Sequence, residues 1–128
     1  MPAEGKRAER VAERLRAELM ELLLRGAVRD PDAQDVHVSS VRMSDDLSHA
    51  RIYVRLLEGD PGPRRRERAV AAMERASKFL RGELAKRMRL RRMPELAFFW
   101  DDVVDSAGRI EALLDEVRPE PGDEEGES

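Results

Sequence analysis

An α+β domain is the fold class this sequence predicts, with one three-stranded sheet covered by helices on one face. Three observations predict it. Residues 50–56 alternate apolar and polar side chains, and Leu96, Phe98 and Trp100 recur at the same period of two, that of a strand. Residues 5–25 and 63–93 repeat apolar side chains every three to four positions, the period of an amphipathic helix. Between these segments lie clusters rich in Gly, Pro, Asp and Ser, at 30–35, 44–48 and 59–62.

Each element follows in order. In residues 5–25, Val11, Leu15, Leu19 and Leu22 recur at helical spacing beside Ala8 and Ala12, while Glu9, Glu13, Arg16 and Glu21 take the polar side. Gly26 is the expected stop. Residues 36–43, VHVSSVRM, predict a strand with a phase error: Val36 and Val38 share one face, and Val41 and Met43 fall on the other. Either a bulge lies near Ser39-Ser40 or both faces are partly covered. The segment 44-SDDLS-48 is a turn by composition. Ala50, Ile52, Val54 and Leu56 then alternate with Arg51, Tyr53 and Arg55, so the two strands make an antiparallel hairpin.

After the linker 59-GDPGPRRR-66, Val70, Met73, Ala76, Leu80, Leu84 and Met88 mark an apolar stripe. Arg87 falls among these apolar positions and breaks the pattern, so the spacing predicts two helices meeting at a bend. Met93-Pro94 ends the second helix, because a residue before proline is pushed out of the helical region. Leu96, Phe98 and Trp100 form a third strand. Asp105 or Ser106 can cap a last helix with Ile110, Leu113, Leu114 and Val117 on its inner face. The segment 119–128 has nothing apolar to bury and is expected to be a disordered acidic tail, leaving residues 1–118 as one domain.

The 128 residues carry a formal charge of -3, but unevenly. Residues 63–93 hold 12 basic and 3 acidic side chains, net +9; residues 94–128 hold 2 basic and 12 acidic, net -10. The block 63–93 is either a solvated helix face or an anion-binding surface. There is no cysteine, which excludes disulfides and thiolate chemistry. The N-terminal segment has no signal-peptide pattern, and no apolar run reaches the ~20 residues of a membrane helix. A cytoplasmic protein without a cofactor is expected, and a monomer, since no apolar face is left over.

Signatures of catalysis are weak. His37 and His49 have no companion at metal-ligand spacing. Asp101, Asp102 and Asp105 have the chemistry to hold Mg²⁺, but a strand end followed by a helix cap explains them better. No phosphate loop, nucleophile elbow or dinucleotide fingerprint is present. Gly59-Asp60-Pro61-Gly62 fits the GxxG pattern of KH domains, yet its middle pair is not basic and it lies between a strand and a helix, so it is read as a turn.

Three stretches, 45-DDLSHARIYV-54, 76-ASKFLRGELAKRMRLRRMPELAFFWDD-102 and 108-GRIEALL-114, strongly resemble ribosome-binding factor A, a bacterial assembly factor of the small ribosomal subunit. The resemblance covers roughly residues 5–117. It implies a type II KH-like fold in which an Ala-x-Gly kink replaces the GxxG loop. Here the kink reads Ala76-Ser77-Lys78, and lysine lacks the freedom of glycine, so a softer bend is expected. The resemblance also implies a non-enzymatic partner of 16S ribosomal RNA on the immature 30S subunit, with assembly GTPases acting in release. Under it, the bent helices would offer Arg75, Lys78, Arg81, Lys86, Arg89 and Arg92 to phosphate, joined by Arg64 and Arg65 of the loop and by Lys6, Arg7 and Arg10 of the first helix. Tyr53 is the best candidate for stacking on a base, although a strand tyrosine more often packs on a neighbour. The alternative is a protein-interaction module whose basic helical face docks an acidic protein.

Overall fold

A computed structural model describes residues 3–102. The predicted last helix, Asp105 and the acidic segment 119–128 lie outside the described residues, as does the boundary at residue 118.

Helix α1 spans Ala3–Leu24. Its buried stripe is Ala8, Ala12, Leu15, Leu19 and Leu22, one face at helical spacing. It closes as the periodicity predicts. Gly26 takes φ +74°, Ala27 N–H donates to Leu22 O at 3.0 Å and Gly26 N–H to Leu23 O at 3.1 Å. These paired bonds satisfy the last carbonyls, and their left-handed residue favours glycine. A short 3-10 turn, Pro31–Ala33, follows, with the Asp30 carboxylate accepting from Asp32 N–H.

Strand β1 is Val36–Met43 and strand β2 is His49–Leu56, paired antiparallel. The phase error in β1 is a bulge: the register slips between Val38 and Ser40. Val38 faces Val54, and after the extra residue Val41 faces Ile52. Val36, Val38, Val41 and Met43 therefore all turn toward the helices.

Helices α2, Pro63–Arg75, and α3, Ser77–Arg87, carry the chain over the sheet to β3, Glu95–Trp100. The sheet order is β1-β2-β3, and β3 runs parallel to the central β2. A parallel neighbour requires such a crossover. Leu15, Leu19, Leu22, Ile52, Leu56, Met73, Leu80 and Leu84 are fully buried between helices and sheet. The outer edge of β3 is covered in part: Phe98 N–H donates to the Glu74 carboxylate of α2 at 2.8 Å.

Two expectations need correction. The bend sits at Ala76 alone, which has φ -88° and ψ -1°; Ser77 and Lys78 already belong to α3. No left-handed residue is used, so the missing glycine costs nothing here. The second helix ends at Arg87 instead of Met93, and Met88 is extended with φ -109° and ψ 134°. The cause is packing. Met88 is buried, and Leu90 and Met93 lie against the core, so the chain must leave the helix to seat all three. The Arg81 guanidinium then fastens the returning segment, donating to Met93 O and Pro94 O at 2.9 Å each.

Candidate nucleic-acid interface

The positive block divides into cations that close the fold and cations that face solvent. On α2, Arg65 donates to Asp32 O at 2.9 Å and Gln34 O at 3.1 Å. Arg68 meets the Asp32 carboxylate at 3.2 Å, and Arg75 meets Asp30 at 2.7 Å. Arg75 is the largest cause holding the Asp30 carboxyl below its ordinary value. Arg66 pairs with Asp60 at 2.9 Å and lies 5.9 Å from the centre of the Trp100 ring. Gly59 and Gly62, both at positive φ, form the turn before α2, and Asp60 accepts from Gly62 N–H within it.

Arg87, the residue that broke the apolar stripe, joins α3 to α1. It reaches the carboxylates of Glu18, at 3.0 Å, and Glu21. Its own backbone carbonyl accepts from Arg14 at 2.9 Å. The Glu18 carboxyl is held below its ordinary value chiefly by Arg87 and then by Arg14. Lys86 makes an exposed i,i+3 pair with Glu83 at 3.2 Å, the kind that contributes at most about 1 kcal/mol and exchanges readily.

Arg64, Lys78, Arg89, Arg91 and Arg92 are exposed and have no hydrogen-bond or ion-pair partner among the described residues. Lys6, Arg7 and Arg10 are exposed on the first turns of α1. The sheet separates these groups. Glu95 N–H donates to Ser48 O, which sets the segment 88–94 beside the β1–β2 turn. Ala8 and Glu9 of α1 line a cleft with Met43 and Asp45, so α1 begins at that same end. Arg64 and Arg65 stand at the start of α2, near the 3-10 turn and the opposite end of the strands. Strands of this length put about 20 Å between the ends. The structure thus brings Arg89 and Arg92 to the same end as Lys6, Arg7 and Arg10, and places Arg64 and Arg65 at the other. Arg81 is engaged within the fold, and Arg75, its side chain 58% exposed, is paired with Asp30 at the surface. Arg91, outside the expected set, is exposed on the same loop as Arg89 and Arg92.

The acidic residues at the end of β3 meet groups of the fold. Asp101 is 5% exposed and accepts from Ser39 Oγ. Asp102 is exposed, 3.9 Å from Arg66. Among the described residues no group of three potential ligands converges on a metal position. His37 faces Arg55 across the strands; burial first and Arg55 second lower its pKa and favour the neutral ring. No helix among the described residues is long and apolar enough to cross a membrane.

Residues 7–114 match the family model for ribosome-binding factor A. Among curated relatives, ribosome-binding factor A of Halorhodospira halophila is 38% identical over 125 residues, covering 98% of this chain and 97% of that one. The homologue of Aromatoleum aromaticum is 38% identical over 117 residues, with 91% and 89% covered. Among solved structures, the crystal structure of ribosome-binding factor A from Thermus thermophilus superposes with a TM-score of 0.62 at 31% identity, covering 73% of this chain and 93% of that one. The solution structure of a Thermotoga maritima homologue gives 0.56 at 33% identity, with 69% and 84% covered. A Thermus thermophilus homology model fitted into a cryo-EM map of a 30S–RbfA complex gives 0.50 at 33% identity, with 70% and 93% covered. The curated relatives cover 91–98% of the chain and the structures 69–73%, and they agree with the helix-covered sheet and its KH-like order of elements: the chain belongs to the ribosome-binding factor A family.

Proposed function

We propose that this chain is a non-enzymatic assembly factor that binds the immature 30S ribosomal subunit and aids late maturation of 16S ribosomal RNA. The observation that carries the reading is the loop after α3, where Arg89, Arg91 and Arg92 are exposed and have no protein partner among the described residues. Such guanidiniums gain by displacing counterions from RNA phosphates, and arginine adds bidentate contacts. Lys6, Arg7, Arg10 and Lys78 extend the surface, and Lys86 joins it by exchanging Glu83 for phosphate. Family membership and the 30S complex of the Thermus protein support the choice of partner. The protein acts as a monomer, stabilises one RNA conformation by binding it better than its alternatives, and is released with the help of an assembly GTPase.

Co-sedimentation with purified small and large subunits at two salt concentrations tests this. Selective pelleting with the small subunit, weakened by salt, is expected. The double variant Arg89→Glu/Arg92→Glu should keep its circular dichroism spectrum, lose pelleting, and lower the slope of log affinity against log salt by about 2. A folded double variant that still pellets normally would sink the assigned surface. Capture of an acidic protein in nuclease-treated extract, with no affinity for subunits, would transfer the basic face to the protein-docking reading.

A further inference from the structure

We propose that the open face of the sheet is a second RNA surface, which takes a short run of unpaired bases. The proposal rests on the RNA reading above but uses none of the loop cations.

The register builds this face. Along the central strand, Arg51, Tyr53 and Arg55 recur at the period of two, on the side away from the helices. Strand β1 places Arg42 opposite Arg51 and Ser40 opposite Tyr53. Strand β3 places Phe99 opposite Tyr53 on the other flank. The two rings meet with centroids 5.6 Å apart and planes tilted by 31°. Phe99 is 41% exposed and borders a cleft with Arg66, Val70 and Ala71 of α2 at the outer edge of β3.

Two features of the face call for an anionic, aromatic partner. Arg42 and Arg51 are exposed and directly opposed, with no ion pair to an acid among the described residues. Like charges at such a position oppose pairing, and an anion laid between them removes the penalty. At the other end of the row Arg55 donates to Asp101 O at 3.3 Å and lies 5.9 Å from the centre of the Trp100 ring, which Arg66 also meets, so its guanidinium turns toward the end of β3. An aromatic pair flanked by guanidiniums suits single-stranded RNA, whose base faces stack on rings while phosphates meet cations. A duplex keeps its base faces stacked internally and offers the rings nothing. Among the described residues the acids bordering this face are Asp101 beside Arg55, Glu9, Glu13 and Asp45 along the cleft at Arg42 and Arg51, and Glu95, opposite His49 and 4.0 Å from Arg81.

The test measures binding of full-length protein to a fluorescent oligouridine and to the same strand in duplex with oligoadenine. Tighter binding of the single strand is expected. Phe99→Ala should weaken it about tenfold or more, and Phe99→Trp should restore it. Arg42→Glu/Arg51→Glu should weaken it and flatten its salt dependence. Equal affinity for duplex, or oligouridine binding untouched by Phe99→Ala and lost in Arg89→Glu/Arg92→Glu, would overturn the proposal while leaving subunit pelleting as the measure of the family reading. If a chain lacking residues 119–128 binds an added peptide of that sequence on this face and ignores oligouridine, the face serves the protein's own acidic segment and the proposal falls.

Discussion

The last turn of α3 and the loop that follows it carry the same residue type to different ends. Arg87 is held between Glu18 and Glu21 of α1, and its side chain is 21% exposed. Arg89, two positions on, is exposed and without an acidic partner among the described residues. What separates them is the change at Met88 from helix to extended chain. A local charge count treats the two alike, but one closes a helix pair and the other remains for a partner. The same division runs through α2, where Arg65 and Arg75 grip the segment 30–34 and Arg64 does not.

Mutation can break or sharpen this contrast. The largest effect is expected in the loop. Arg89→Glu/Arg92→Glu removes two charge-assisted phosphate contacts and should cost about 100-fold or more in subunit affinity, at ~1.5–3 kcal/mol per contact. Its melting temperature should stay near that of the parent protein. Arg81→Ala should do the reverse. It deletes the bonds to Met93 O and Pro94 O and should lower unfolding free energy by about 2 kcal/mol, read from urea denaturation. Subunit affinity measured on its folded fraction should be unchanged. Loss of affinity without loss of stability would put Arg81 in the interface and erase the division.

Smaller effects follow from pH. Glu18 has a carboxyl lowered from its ordinary 4.5 by Arg87, so its contribution to stability is complete above about pH 4.5 and is lost as pH falls through the lower folded value. Arg87→Met should therefore melt earlier at pH 6 and show a shallower fall in melting temperature from pH 5 to 3. An unchanged pH profile would mean that the Glu18–Arg87 pair adds nothing to the contact of α1 with α3. The β1–β2 turn supplies the smallest test. Asp46 accepts from Ser48 and Ser44, first of all from the Ser48 hydroxyl, and its pKa is lowered to about 2. Its contribution is present above the ordinary 3.8 and disappears as pH falls toward 2. Asp46→Ala should remove that part of the acid transition, visible in amide exchange of the hairpin, and leave RNA binding intact.

Much of the fold was legible because it is written in periods. The apolar stripe of α1, the Gly26 stop, the hairpin and the strand at 96–100 all appear where the alternation and the turn residues put them. The phase error of β1 left open a bulge or two covered faces, and the register slip between Val38 and Ser40 is the bulge. The end of α3 was not legible, since residues 88–93 keep helix-forming side chains, and seating Leu90 and Met93 on the core beside Met88 overrides their propensity. Of the candidate site, the sign and rough location of the charge were readable. Which cations are available was not, because their partners Asp30, Asp32, Glu18 and Glu21 lie 33 to 69 residues away in the chain.

Local sequence therefore settled the element types, their order and the presence of a positive block, since period, turn chemistry and charge are properties of neighbouring residues. The parallel seat of β3 beside β2, the engagement of Arg65, Arg75, Arg81 and Arg87, and the meeting of Tyr53 with Phe99 were settled by the assembled molecule. Each depends on segments brought together by burial of a common core, and that pairing is written in no single stretch of the chain.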